Sequence, residues 1–186
     1  MTEQTAGLAR VSMPAPDFTM PSTKNLETLK EAVRLSDYRG KWLVMFFYPL
    51  DFTFVCPTEI RAFSEAADTF RKAGAEILGV STDSVHSHRA WIKAGRDLNG
   101  LGEIHFPLAS DLTREVSRRY GVLKEEEGIA LRGLFIIDPK GILQYQVIHN
   151  LGVGRSTDET LRVLRAFQTG ELCPANWKPG QAPLKI

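Results

Sequence analysis

Trp42-Leu43-Val44-Met45-Phe46-Phe47-Tyr48-Pro49-Leu50-Asp51-Phe52-Thr53-Phe54-Val55-Cys56-Pro57-Thr58-Glu59 is the stretch on which the fold turns. Trp42–Pro49 is the longest apolar run of the chain. It has the length of a buried strand and falls far short of the roughly 18 residues that a bilayer span needs. A short loop follows, and a helix is expected to open with Cys56 near its N-cap and Pro57 at the first helical position, where a missing N–H costs nothing. Behind it Ile60, Phe63, Ala67 and Phe70 recur at helical spacing and mark one face of an amphipathic helix.

Working outward, further strands are expected at Glu76–Thr82, Gly133–Ile137 and Ile142–Asn150. Asp138-Pro139-Lys140-Gly141 is a turn with Pro at i+1 and Gly at i+3, so the last two strands should form a hairpin. Helices are expected over Val85–Arg96 and Leu112–Tyr120. A last one should open at Ser156 or Thr157, with Leu161, Leu164 and Phe167 on one side. Residues 11–40 are turn-rich and read as a lead-in with short strands. Beyond Gly170 the prolines Pro174, Pro179 and Pro183 rule out a long regular element. The order of elements defines an α/β fold with a central mixed sheet flanked by helices. One domain over residues 1–186 is expected, with 170–186 an irregular C-terminal tail that carries Cys173.

Of the 186 residues 43% are hydrophobic and 24% charged, a globular balance. A net charge of +1 makes no electrostatic case for nucleic acid or an anionic membrane as partner. Met1-Thr2-Glu3-Gln4 lacks the basic-then-apolar pattern of a signal peptide, and a cytoplasmic protein is expected. Structural disulfides are disfavoured there, so the two cysteines are either packing or reactive. Position separates these for Cys56. A sulfur at a helix start faces the positive end of the helix dipole and unpaired backbone N–H groups, which favour the thiolate. Thr53, three residues earlier, can turn its hydroxyl toward that sulfur or its substrate.

The pattern Pro49-x-x-x-Thr53-x-x-Cys56 resembles the active-site motif of the peroxiredoxins. The resemblance runs from Pro14-Ala15-Pro16-Asp17-Phe18 through Arg132-Gly133-Leu134-Phe135-Ile136-Ile137-Asp138 to Gly170-Glu171-Leu172-Cys173-Pro174. It is to the typical two-cysteine subfamily that includes the peroxidase component of bacterial alkyl hydroperoxide reductase. It implies a thioredoxin-like fold with N- and C-terminal extensions, and a thiol peroxidase that reduces hydrogen peroxide and organic hydroperoxides without cofactor or metal. It further implies Cys56 as the peroxidatic nucleophile, Thr53 as the hydroxyl that orients peroxide, Pro49 as a shield against water and Arg132 as the cation beside the thiolate. Glu59 and Arg155 are implied as the support that holds Arg132. Cys173 is implied as the resolving cysteine, joined to Cys56 of a partner subunit. Sequence alone leaves an intrachain bond open.

A thiol with a pKa of about 8.5 is roughly 3% ionised at pH 7, and lowering that pKa to about 6 raises the fraction roughly 30-fold. Nucleophilicity falls with basicity, and a slope of about 0.45 returns roughly 13-fold of the gain. A net factor of about two remains, so donors aimed at the breaking O–O bond have to supply most of the rate.

The resemblance also implies homodimers and a decamer of five dimers, with Asp83–Trp91 as the loop of the ring contact and Ser87 at its centre. With no second cysteine after Cys56-Pro57-Thr58-Glu59, a separate thioredoxin or flavoprotein disulfide reductase must return the electrons. Over-oxidation-prone relatives carry Gly-Gly-Leu-Gly and a C-terminal Tyr-Phe pair. This chain has Asn99-Gly100-Leu101-Gly102 and ends at Ile186 without Tyr-Phe, so resistance to peroxide is expected. Rival functions are a holdase chaperone, a peroxide-signal relay, or a glutathione-peroxidase-like enzyme in which Cys173 would be unnecessary. His86 and His88 have no third ligand type nearby in sequence and are expected in a loop or subunit contact. Trp91 and Trp177 are expected to pack, the latter helping to dock the tail.

Overall fold

The computed structural model describes residues 7–185, so the reading of Met1–Gln4 and of the end at Ile186 lies outside the described residues. Two compact units are distinguished, one up to Arg155 and one from Ser156 onward. In the first, a five-stranded sheet contains β3 (Trp42–Phe47), β4 (Ala75–Ser81), β5 (Leu108–Ser110), β8 (Arg132–Ile137) and β9 (Leu143–His149). Their order is β5-β4-β3-β8-β9. β3 pairs parallel with β4 and antiparallel with β8, so the sheet is mixed as expected. Two short pairs lie outside it, β1 (Thr19–Pro21) with β2 (Ala32–Arg34) and β6 (Leu123–Lys124) with β7 (Ile129–Ala130). Sequence patterning missed β5, β6 and β7, which at two or three residues are too short to show a period.

β3 explains why an unbroken apolar run was needed. Its odd residues Leu43, Met45 and Phe47 join a core with Leu78, Val80, Phe135 and Tyr120. The even residue Phe46 instead stacks on Phe63, with ring centroids 4.8 Å apart, and meets Phe106 edge-on at 5.7 Å. A strand buried on both faces cannot alternate with polar residues. The β8–β9 hairpin is antiparallel, and the Asp138 carboxylate clamps its turn by accepting from the Lys140 and Ile142 backbone N–H groups at 2.8 and 2.9 Å.

The helices differ from expectation at their ends. α1 (Cys56–Glu65) and α2 (Ala67–Lys72) replace one long helix, with a break at Ala66, although Ile60, Phe63, Ala67 and Phe70 are all buried. α3 (Val85–Lys93) stops three residues early because the chain folds back on it. Ala94 is extended, and the Leu101 N–H donates to the Trp91 carbonyl at 2.9 Å. α4 (Glu115–Arg119) starts three residues late. The Asp111 carboxylate accepts from the Val116 and Ser117 N–H groups, and Arg114 takes a left-handed φ of 64°, so Leu112–Arg114 form a turn that leads into the helix.

In the second unit α5 (Thr157–Thr169) opens as expected, the Ser156 hydroxyl accepting from the Glu159 N–H at 3.1 Å. Its buried face is Thr160, Val163 and Leu164, while Phe167 is exposed, so the expected stripe is rotated toward Val163. After Gly170 no regular element occurs among the described residues. The tail is held locally: Arg162 Nη1 donates to the Trp177 carbonyl (2.9 Å), the Trp177 indole to the Gln181 carbonyl (3.0 Å), and the Leu184 N–H to the Leu172 carbonyl (2.8 Å). No helix among the described residues is long and apolar enough to cross a membrane.

Candidate active site

β3 delivers the chain to Pro49, which is buried, and a loop then leads to α1. Val55 occupies the N-cap with helical backbone and no capping side chain, which makes Cys56 the first and Pro57 the second helical residue, one position later than expected for Pro57. Cys56 is fully buried, and both cysteines are free.

Arg132, the first residue of β8, brings Nη1 to 3.4 Å from Cys56 Sγ and donates from the same nitrogen to Glu59 Oε2 at 2.6 Å. Its Nε donates to the Leu151 carbonyl at 2.7 Å. Glu59 also receives Arg155, from Nε to Oε1 at 2.7 Å and from Nη2 to Oε2 at 3.0 Å. Arg155 Nη1 ties this group to the sheet through the carbonyls of Phe47 (2.8 Å) and Gly133 (2.6 Å). Its guanidinium lies 5.2 Å from the Phe46 ring centroid. Burial pulls the Arg155 pKa below its ordinary value, against which the hydrogen bond to Glu59 acts. Two buried cations around one carboxylate leave one net positive charge beside Cys56 Sγ.

Cys56, Glu59, Arg132 and Arg155 thus converge on one cluster. Thr53 lies in the loop just before them, but its hydroxyl donates to the Leu50 carbonyl at 3.0 Å and is not turned to the sulfur. Cys173 belongs to the second unit. It is half-buried after α5, its Sγ 3.5 Å from Thr169 Oγ1 and 3.8 Å from the Ala166 carbonyl.

A second polar group behind the loop was not foreseen. The buried Asp51 carboxylate accepts from the Tyr48 hydroxyl (2.9 Å) and the Ser87 hydroxyl (2.8 Å) and meets His88 Nδ1 at 2.9 Å. The Asp51 N–H donates to Asp83 Oδ2 at 3.0 Å. Burial, then the Asp51 carboxylate, raise the pKa of both Tyr48 and Asp83. This corrects the reading of His88 as a loop or subunit contact: it is wholly buried on α3. It also corrects the reading of Asp83–Trp91 as a loop. Most of the segment is helix, with His88 and Trp91 turned inward and the Ser87 hydroxyl engaged by Asp51. No sequence spacing marks the Asp51–His88 pair, because the two meet only where the loop after β3 packs against α3.

The AhpC/TSA family profile matches residues 11–146. Peroxiredoxin-2 of Cricetulus griseus is 56% identical over 184 residues, covering 97% of this chain and 92% of its own. Among solved structures, the reduced 2-Cys peroxiredoxin of Plasmodium vivax aligns with a TM-score of 0.88 at 40% identity, covering 92% of this chain and 91% of that one. AhpC of Enterococcus faecalis aligns with a TM-score of 0.79 at 32% identity, covering 90% and 100%. The chain belongs to the AhpC/TSA family: it is a two-cysteine peroxiredoxin of thioredoxin-like fold, a thiol-dependent peroxidase.

Proposed function

We propose that Cys56 is the peroxidatic cysteine and Cys173 the resolving one. The observation that carries this reading is the Arg132 guanidinium 3.4 Å from a fully buried Cys56 Sγ, fixed there by Glu59. The Cys56 thiolate attacks one peroxide oxygen, the O–O bond breaks, and the other oxygen leaves as water or an alcohol after taking a proton. The product is a sulfenic acid at Cys56. Charge moves from sulfur onto both oxygens, and a donor already aimed at that place in a dry pocket stabilises the displacement without reorganising. Arg132 Nη1 can serve sulfur and oxygen together. Thr53 becomes a second donor when its hydroxyl rotates from the Leu50 carbonyl to the peroxide. Pro49, buried at the end of β3, keeps water from the sulfur, and Glu59 with Arg155 holds Arg132 in place.

The Cys173 thiol then attacks the sulfenic sulfur, forms the disulfide and releases water. Cys173 comes from the partner subunit, and an external thioredoxin or flavoprotein disulfide reductase supplies the two electrons that reopen the bond. The cytoplasm, where such dithiols are available, is the setting of this cycle. Dimers form through the outer edge of β9 beyond Leu143, whose backbone groups are taken by Ser12 and Met13; Ile148 on that strand and Val153 just after it are exposed. Dimers join into a ring through the outward face of α3, where His86 and Ala90 are exposed.

Single-cysteine variants test the roles. Cys56→Ser is expected to abolish peroxide consumption, whereas Cys173→Ser still consumes one equivalent and then stops unless a small thiol is added. Peroxide treatment of the native chain should give a dimer band on a non-reducing gel. Full turnover by Cys173→Ser with the native reductant would refute the resolving role, and a monomer band alone would refute the link between subunits.

A further inference from the structure

The buried guanidinium of Arg132 has three partners: Nη1 serves the Cys56 sulfur and Glu59, and Nε donates to the Leu151 carbonyl at 2.7 Å. Glu59 is itself held by Arg155, so the Nη1 side is fixed by a buried ion network. The Nε side depends on a loop, residues 150–154, that leads from β9 to Arg155. A guanidinium is a planar, rigid fork, so a shift of the carbonyl on Nε turns Nη1 away from the sulfur. Whatever keeps that carbonyl in place therefore bears on the rate of peroxide attack.

The loop is closed by His149, the last residue of β9. Its Nδ1 stands 3.3 Å from the Val153 carbonyl, and since a carbonyl only accepts, Nδ1 carries the proton and donates. That bond closes the stretch from 149 to 153, with Leu151 at its centre. Asn150 Oδ1 accepts from the Leu151 N–H at 2.8 Å, so both backbone groups of Leu151 are engaged. The far end of the loop is seated on the site as well. A Cβ at Gly154 would stand 3.3 Å from Glu59 Cγ and 3.6 Å from Val55 Cγ1, and the Arg155 N–H donates to Glu59 Oε1 at 2.8 Å. His149 is also the register partner of Arg132 across the β8–β9 pair, so the two side chains leave the sheet on the same face.

We propose that His149 is a positioning residue for Arg132: by donating to the Val153 carbonyl it closes the loop after β9, holds the Leu151 carbonyl on Arg132 Nε and so keeps Nη1 beside the Cys56 sulfur. This rests on the assignment of Cys56 as the peroxidatic cysteine. His149 acts here through Arg132 and not on the peroxide itself. The step it serves is the oxidation of Cys56, in which a donor already aimed at the breaking O–O bond works without reorganising. Glu59 and Arg155 hold the guanidinium from the side of α1, and His149 holds it from the side of β9.

Three variants separate this role from a merely structural one. His149→Leu deletes the donor, whereas His149→Asn keeps an N–H at the same distance along the side chain. Arg132→Lys keeps a cation but has no Nε–H for Leu151 to hold. Stopped-flow fluorescence with hydrogen peroxide gives the rate of Cys56 oxidation in each. Oxidation should slow about fivefold in His149→Leu, the factor that one net hydrogen bond carries, and stay within about twofold of the native rate in His149→Asn. In an Arg132→Lys background His149→Leu should slow oxidation no further. A native rate in His149→Leu would overturn the proposal, and so would an equal loss in His149→Asn. A loss of about fivefold that persists beside Arg132→Lys would overturn it as well, since the effect would then not pass through Arg132. Cys56→Ser run alongside separates the two ideas: an oxidation phase surviving there would refute the assignment of Cys56 rather than the role of His149.

Discussion

The surroundings of Cys56 and of Cys173 are built on opposite principles. Cys56 is fully buried beside two arginines and a glutamate, with donor distances of 2.6 to 3.0 Å through the ion network. Cys173 is half-buried, its sulfur 3.5 Å from the Thr169 hydroxyl and 3.8 Å from the Ala166 carbonyl. Preorganised charge is useful where charge has to move in a transition state, and a loosely held thiol is useful where the sulfur has to travel. The contrast makes the first site expensive to alter and the second cheap.

Removing Glu59 should therefore do the most damage. Glu59→Gln leaves Arg132 and Arg155 buried without a counter-charge, and a loss of about 3–5 kcal/mol is expected in the denaturant-unfolding free energy. A loss below about 1 kcal/mol would mean that water or a neighbour takes over the charge, and the contrast would weaken. Arg132→Ala comes next, with the rate of peroxide attack falling about 10²–10³-fold, a cost of about 3–4 kcal/mol. Thiolate fraction, followed in parallel by ultraviolet absorbance, should account for only about twofold of that fall. If rate tracked thiolate fraction across such variants, donor placement would not be the source of the rate.

At the other sulfur Thr169→Val should alter disulfide formation by no more than about twofold, since a contact at 3.5 Å to sulfur is weak. A tenfold change would show that Cys173 is held as firmly as Cys56. The smallest effect belongs to pH. Burial and the Asp51 carboxylate raise the Asp83 pKa above its unfolded value, so the folded state favours protonated Asp83. The stability this contributes is present below the unfolded pKa and is lost as pH rises through the folded one. Asp83→Asn should accordingly gain in melting temperature relative to the native chain as pH rises above the ordinary Asp pKa of about 4. A difference that is constant with pH would place the cost elsewhere.

Cys56 at a helix start, the two-faced strand before it, the hairpin at Asp138–Gly141 and the Ser156 cap were legible because each depends on a few neighbouring residues. Helix ends were less so. Leu112 and Arg96 have helical neighbours in sequence, but Asp111 and Trp91 redirect the backbone there through bonds that no periodicity records. The roles of Arg132, Glu59 and Arg155 came from family resemblance, since an arginine at a strand start carries no local sign of its partner.

The sequence by itself determined that a thiol would sit where a buried strand turns into a helix, because strand burial, proline placement and helix dipole act over short range. Only the tertiary structure decided what that thiol meets. The antiparallel pairing of β8 against β3 carries Arg132 to Cys56. The fold-back after α3 carries Asn99 to Thr53, and the loop after β3 meets α3, the helix that follows neighbouring β4, so that Asp51 reaches His88. These contacts join residues 37 to 76 positions apart, and their geometry follows from strand order and packing rather than from spacing along the chain.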